Sequence, residues 1–320
     1  MTIQFFSALA SVGLFSSVVW MTSEGQAASA RPSPPSSETR ASATATLRQA
    51  AGSGVTPGEA GPYAVSWISA LPLQGGRGTP TTALFYPSTT DTRPVTALAP
   101  APVVVLLQGG AVPEEDYYYL GDQLASWGFV VAIPPHPRDF AIYAPQRSSA
   151  VLDTLAGLAQ SDPQWLSYFD LEHATVGGHS LGGVVADGVV ETDLRFRQLV
   201  LLASYPGDTD GLSFTGNLLS VAGAQDCNAT LSETTAGYES YGYPRALAIL
   251  DGVTHYQFTA SEAEDLADCT PGVSLDIAHQ RLGEALVSWL KVEVEGDGQF
   301  LRYLEAPSAG ISWRIESAAP

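Results

Sequence analysis

A single serine stands among glycines in Thr-Val-Gly-Gly-His-Ser-Leu-Gly-Gly-Val-Val-Ala, residues 175–186. A strand-like run precedes it and a helix-compatible run follows, which puts Ser180 on a sharp strand-to-helix turn. There its hydroxyl would project above a sheet, and bulky side chains two positions before or after it would collide. Gly178 and Gly182 leave both positions bare, so Gly178-His179-Ser180-Leu181-Gly182 reads as a G-x-S-x-G elbow. The chemistry that suits it is nucleophilic attack on an acyl carbon. The rival reading, a phosphate-binding glycine turn, finds no dinucleotide fingerprint and no Gly-Lys-Ser/Thr after it.

A hydroxyl attacks poorly at neutral pH unless a base takes its proton and a carboxylate orients that base. An elbow of this kind predicts the chain order serine, acid, histidine, with both partners in loops at the C-terminal ends of strands. Asp226 follows the strand-like Leu-Leu-Ser-Val-Ala-Gly, and His255 follows Arg-Ala-Leu-Ala-Ile-Leu-Asp. Of the five histidines, His136 and His173 come too early, His179 adjoins the serine, and His279 falls on a helical run. Asp251 and Glu233 are the rivals of Asp226 for the acid. An oxyanion needs two backbone N–H donors. Leu181 offers one, and the turn Gln108-Gly109-Gly110-Ala111 offers the other, with Gly110 preferred and Ala111 the alternative.

These residues need a frame. Val103–Leu107 and Phe129–Ile133 are continuous branched or apolar runs of the kind buried on both faces of a parallel sheet. Between them Tyr117, Leu120, Leu124 and Trp127 recur at helical spacing behind an acidic start, and Gly128 ends the pattern. Strands are predicted at 63–71, 81–87, 173–178, 198–204, 218–223 and 245–251. Helices are predicted around 151–159 and 278–290. This alternation argues for an α/β fold: one domain with a mostly parallel central sheet, helices on both faces and no cap domain. Ser180 and Asp226 are only 46 positions apart, too few for an inserted lid. Phe300–Leu304 and Ile311–Ile315 could form a terminal hairpin.

Residues 5–20 are mostly apolar and lead through a polar stretch to Ala28-Ser29-Ala30, so 1–30 reads as a secretory signal peptide, with a retained anchor as the alternative. No Lys or Arg precedes the apolar run. Residues 31–60 read as a Pro/Ser/Ala-rich linker, 61–291 as the catalytic domain and 292–320 as an extension. Fourteen basic residues against 33 acidic ones give a net charge of −19, which offers no basic footprint for nucleic acid and disfavours anionic membranes. Membrane contact is expected only if the N-terminal segment is retained. The location expected is secreted or periplasmic, where Cys227 and Cys269 could pair.

Taken together, Val103–Gly110, Tyr119–His136, the elbow, Leu199–Pro206, Leu219–Asp226 and Gly252–Phe258 resemble the α/β-hydrolase superfamily, over roughly residues 63 to 291. The sequence is most similar to its lidless, dienelactone-hydrolase-like and chlorophyllase-like members. The resemblance implies Ser180 as nucleophile, Asp226 as acid, His255 as base, and Leu181 and Gly110 as oxyanion donors. Three features depart from those relatives. Gln108-Gly109 stands where many have His-Gly, Ser180 where dienelactone hydrolases have cysteine, and Leu181 where chlorophyllases tend to have a basic residue. The function expected is hydrolysis of small-molecule carboxylic esters through an acyl-enzyme, with no cofactor and no metal. Thioester, lactone or amide hydrolysis on the same residues, or a non-catalytic binding protein of this fold, are the alternatives.

Overall fold

Branched residues define the interior of the sheet. β3 (Ala101–Leu107) and β4 (Val130–Ile133) are buried along nearly their whole length, as strands covered on both faces must be. They belong to a computed structural model that describes residues 55–74, 80–135, 144–207, 214–260 and 269–317. The expected signal peptide 1–30, linker residues 31–54 and His136 lie outside the described residues. No helix among the described residues is long and apolar enough to cross a membrane.

Before these come β1 (Ala64–Pro72) and β2 (Thr81–Ser88), and between them α1 (Tyr118–Ser126). The chain continues through α2 (Ala144–Ser161), β5 (Phe169–His179), α3 (Leu181–Thr192), β6 (Phe196–Leu202) and β7 (Asn217–Gly223). Then follow α4 (Leu231–Ser240), β8 (Arg245–Leu250), α5 (Leu275–Glu293), α6 (Leu301–Glu305) and β9 (Ile311–Glu316). The described strands form one nine-stranded sheet in the order β1-β2-β4-β3-β5-β6-β7-β8-β9. Strands β4, β3, β5, β6, β7 and β8 run parallel, and β1, β2 and β9 attach antiparallel at the edges.

Alternating side chains divide the core in two. Val103, Val105, Leu107, Val176 and Leu199 face Val151, Leu152 and Leu155 of α2 and Val189 of α3. Val104, Leu106, Val131, Val200 and Val221 face Leu120 and Leu124 of α1 and Leu282, Leu286 and Leu290 of α5. Helices thus cover both faces, and among the described residues only α3, β6 and β7 lie between Ser180 and Asp226. The parallel strands send Ser180, Asp226 and His255 to the same, C-terminal edge of the sheet.

The terminal hairpin is a correction. Phe300 meets the Trp127 ring edge-on at 5.6 Å, and Leu304, one helical turn later, is buried. That i,i+4 pair favours helix, and Leu301–Glu305 forms α6. Ile311–Glu316 instead extends the sheet against β8, with Ala248 opposite Trp313. The sheet therefore reaches past the expected boundary at 291.

Candidate active site

Ser180 follows β5 directly and is the N-cap residue of α3, with φ 52° and ψ −122°, a backbone region that L-residues avoid at about 1–3 kcal/mol. Neighbours hold it there. Its N–H donates to Leu202 O at 2.9 Å, and its carbonyl accepts from Gly183 N at 2.9 Å and Ser204 Oγ at 2.7 Å. The glycines are required by close approach: a Cβ on Gly178 would sit 2.2 Å from the Gly182 carbonyl carbon, and one on Gly182 2.4 Å from Gln108 O. Because those obstacles are backbone, Gly182→Ala must part α3 from the end of β3. A loss of about 1–3 kcal/mol is expected in chemical denaturation, and an unchanged midpoint would contradict the packing described.

The acid and base loops are stitched to each other. Ala224 N donates to Leu250 O at 2.9 Å and Gln225 N to Val253 O at 3.0 Å, so the turns after β7 and β8 advance together. Asp226 Oδ1 accepts from Asn228 N at 2.7 Å and Ala229 N at 2.8 Å, while Oδ2 meets His255 Nδ1 at 2.8 Å. The Asp226 side chain is fully buried and that of His255 is 6% exposed. With the Asp226 carboxylate on Nδ1, the lone pair of His255 is left on Nε2. His255 also packs beside the elbow, its ring 4.6 Å from that of His179. The structure thus brings Asp226 and His255 together next to the neighbour of Ser180.

The rivals have other roles. Glu233 forms a capping box with Thr230 at the start of α4. Asp251 is exposed on the turn after β8. His173 is exposed beside Asp170, and His279 stacks on Tyr119 with Nε2 2.9 Å from Thr259 O.

Leu181 N–H opens α3 and has no intrahelical acceptor. Opposite it, Val112 N donates to Gly109 O at 3.2 Å, closing a turn in which Ala111 has φ 60°. A Cβ on Gly110 would lie 3.3 Å from Leu181 Cδ2, so the two donor segments adjoin. Neither Gly110 N–H nor Ala111 N–H meets a backbone carbonyl among the described residues.

Sequence reasoning passed over His179 as merely the neighbour of the serine. Its Nδ1 lies 2.8 Å from Tyr117 Oη, and its ring stacks flat on Phe258. Burial above all, and then the neighbouring His255, hold its imidazole neutral well below the usual histidine range. The unfolded chain therefore takes up a proton, from about pH 6.5 downward, that the folded chain refuses. Stability should fall on acidification, and His179→Phe should flatten that slope by up to about 1.4 kcal/mol per pH unit. Urea unfolding of both chains at pH 7 and pH 5 checks this; parallel slopes would contradict it.

Among the described residues no group of three or more His, Cys, Asp or Glu could hold a metal ion. A disulfide joins Cys227, adjacent to Asp226, to Cys269, 42 positions on. Chain entropy alone makes such a loop worth about 4 kcal/mol. Cys269→Ser should lower the unfolding free energy by an amount of that order, read by urea titration without reductant; a loss below about 1 kcal/mol would show that the bridge constrains little.

Comparison with known families matches residues 103–264 to the alpha/beta hydrolase family. The match runs from β3 past His255 and includes the elbow and both partner loops. No curated protein matches the chain.

Proposed function

The chain belongs to the alpha/beta hydrolase family, and from that membership we propose that it cleaves carboxylic esters of small molecules through an acyl-enzyme on Ser180. In this reading His255 Nε2 takes the hydroxyl proton as Ser180 Oγ attacks the acyl carbon. Asp226 holds the ring and stabilises the imidazolium that forms. The developing oxyanion is met by the Leu181 and Gly110 N–H groups, with α3 adding the positive end of its dipole. Imidazolium then protonates the leaving alkoxide, and water repeats the sequence to release the acid. No step calls on a cofactor or a metal.

The observation that carries the reading is the buried 2.8 Å contact between Asp226 and His255, set beside a serine held at positive φ. The strained and only partly buried Ser180 stands at the same C-terminal edge of the sheet as that pair. Support for an open site comes from Leu181, within the elbow, and Tyr205, just past the end of β6, which are 43% and 41% exposed. Two exposed apolar side chains suit short or protruding acyl groups better than a long buried chain. The Cys227–Cys269 bridge fits an oxidising compartment, in line with export.

The test is pre-steady-state hydrolysis of p-nitrophenyl esters graded from acetate to palmitate. A stoichiometric burst of nitrophenolate, strongest with short chains, is the expected result. A burst only with long chains would overturn the open site, and hydrolysis of amides but not esters would move the assignment to amidase chemistry.

A further inference from the structure

We propose that Tyr117 and His179 are positioning residues for this hydrolysis, forming a buried bracket that sets the oxyanion turn at a fixed distance from the base loop. The inference rests on the reading of Ser180, Asp226 and His255 given above. The Tyr117 hydroxyl accepts from Gly109 N at 2.9 Å and reaches His179 Nδ1 at 2.8 Å. An oxygen that accepts from an N–H has its own proton free to give. Burial pushes the Tyr117 hydroxyl up and keeps it protonated, so it donates to Nδ1 and fixes His179 as the Nε2–H tautomer.

The other half of the bracket reaches the base. The His179 ring lies flat against Phe258, centroids 5.6 Å apart and planes 10° apart, and 4.6 Å from the His255 ring. Its Nε2 makes no well-formed hydrogen bond, and the His255 backbone is the polar group beside it. The segment around Tyr117 is tied to the same loop twice more, through Ala260 N to Asp116 O at 2.7 Å and Tyr119 Oη to Phe258 O at 2.9 Å.

Gly109 shows how tightly this is drawn. A Cβ there would lie 2.9 Å from His179 Nδ1 and 3.1 Å from Tyr117 Oη. With its N–H directed at Tyr117, Gly109 is turned away from the oxyanion, and the donor to the substrate must come from the next residues of the turn. Loss of the hydroxyl frees the turn to rotate and the imidazole to tilt, which misplaces donor and base by fractions of an ångström without touching substrate.

The experiment is steady-state hydrolysis of p-nitrophenyl butyrate by the full chain and by Tyr117→Phe, with kcat expressed per site titrated to completion by a fluorophosphonate. Titration removes misfolded molecules from the count, so a purely structural role would leave kcat per site unchanged. The expected result is a fall in kcat of about 10- to 100-fold with KM within about twofold. His179→Phe, which keeps the stack on Phe258 but loses Nδ1, should fall similarly, and the double variant no further, since both members act through one contact. It also carries the comparison if Tyr117→Phe does not fold. A kcat per site within about twofold of the unaltered chain in the folded variants would overturn the bracket alone. Failure of the unaltered chain to titrate would overturn the hydrolase reading and the bracket with it.

Discussion

Ser180→Ala is expected to abolish hydrolysis, lowering kcat by about 10⁴- to 10⁶-fold while the chain stays folded. The magnitude follows from losing the nucleophile outright, which leaves only the residual acceleration that an oxyanion hole and binding provide. Stability should barely change. The contacts that hold the elbow run through the backbone, from Ser180 N to Leu202 O and from Gly183 N and Ser204 Oγ to Ser180 O. Alanine retains all three and adds no bulk at φ 52°. The kcat of purified Ser180→Ala, with its urea midpoint as the control for folding, checks both halves. Activity above about one hundredth of the unaltered chain would mean that the chemistry lies elsewhere.

Asp226→Asn should lower kcat by about 10⁴-fold, again with little loss of structure. The buried carboxylate has two tasks, one per oxygen. Oδ1 accepts from Asn228 N and Ala229 N, and Oδ2 accepts from His255 Nδ1. An asparagine satisfies the first with its carbonyl oxygen, so the loop keeps its shape. Its amide then faces Nδ1 as a donor, and the imidazole must accept there and carry its proton on Nε2. A ring protonated on Nε2 cannot take the proton of Ser180. Alanine at 226 would instead strand the buried Ala229 N–H, at about 1–3 kcal/mol, and take the acceptor from Asn228 N, which confounds activity with stability. Asparagine is therefore the informative change, read by kcat on an ester, and a loss under tenfold would remove Asp226 from the account.

Sequence legibility followed the range of the interactions involved. Val103–Leu107 and Phe129–Ile133 could be read as interior parallel strands because burial on both faces demands an unbroken apolar run. The elbow could be read because its glycines are needed at fixed local spacing. α4 escaped notice: Leu-Ser-Glu-Thr-Thr-Ala-Gly-Tyr-Glu-Ser has no apolar stripe, and its buried residues are Thr234, Gly237 and Tyr238. The Thr230–Glu233 capping box was the signal that could have found it. Phe300–Leu304 looked like a strand by composition, but its partner Trp127 is remote in sequence and favours helix. The contact between Tyr117 and His179 spans 62 positions, and no local pattern announces it.

The central claim is an activated serine at position 180. Intact-mass measurement and peptide mapping after exposing the folded chain to a fluorophosphonate test it without a guess at the substrate. One adduct per chain is expected, located on Ser180 and lost in His255→Ala. A well-folded chain with no adduct, or with the adduct on another residue, would contradict it.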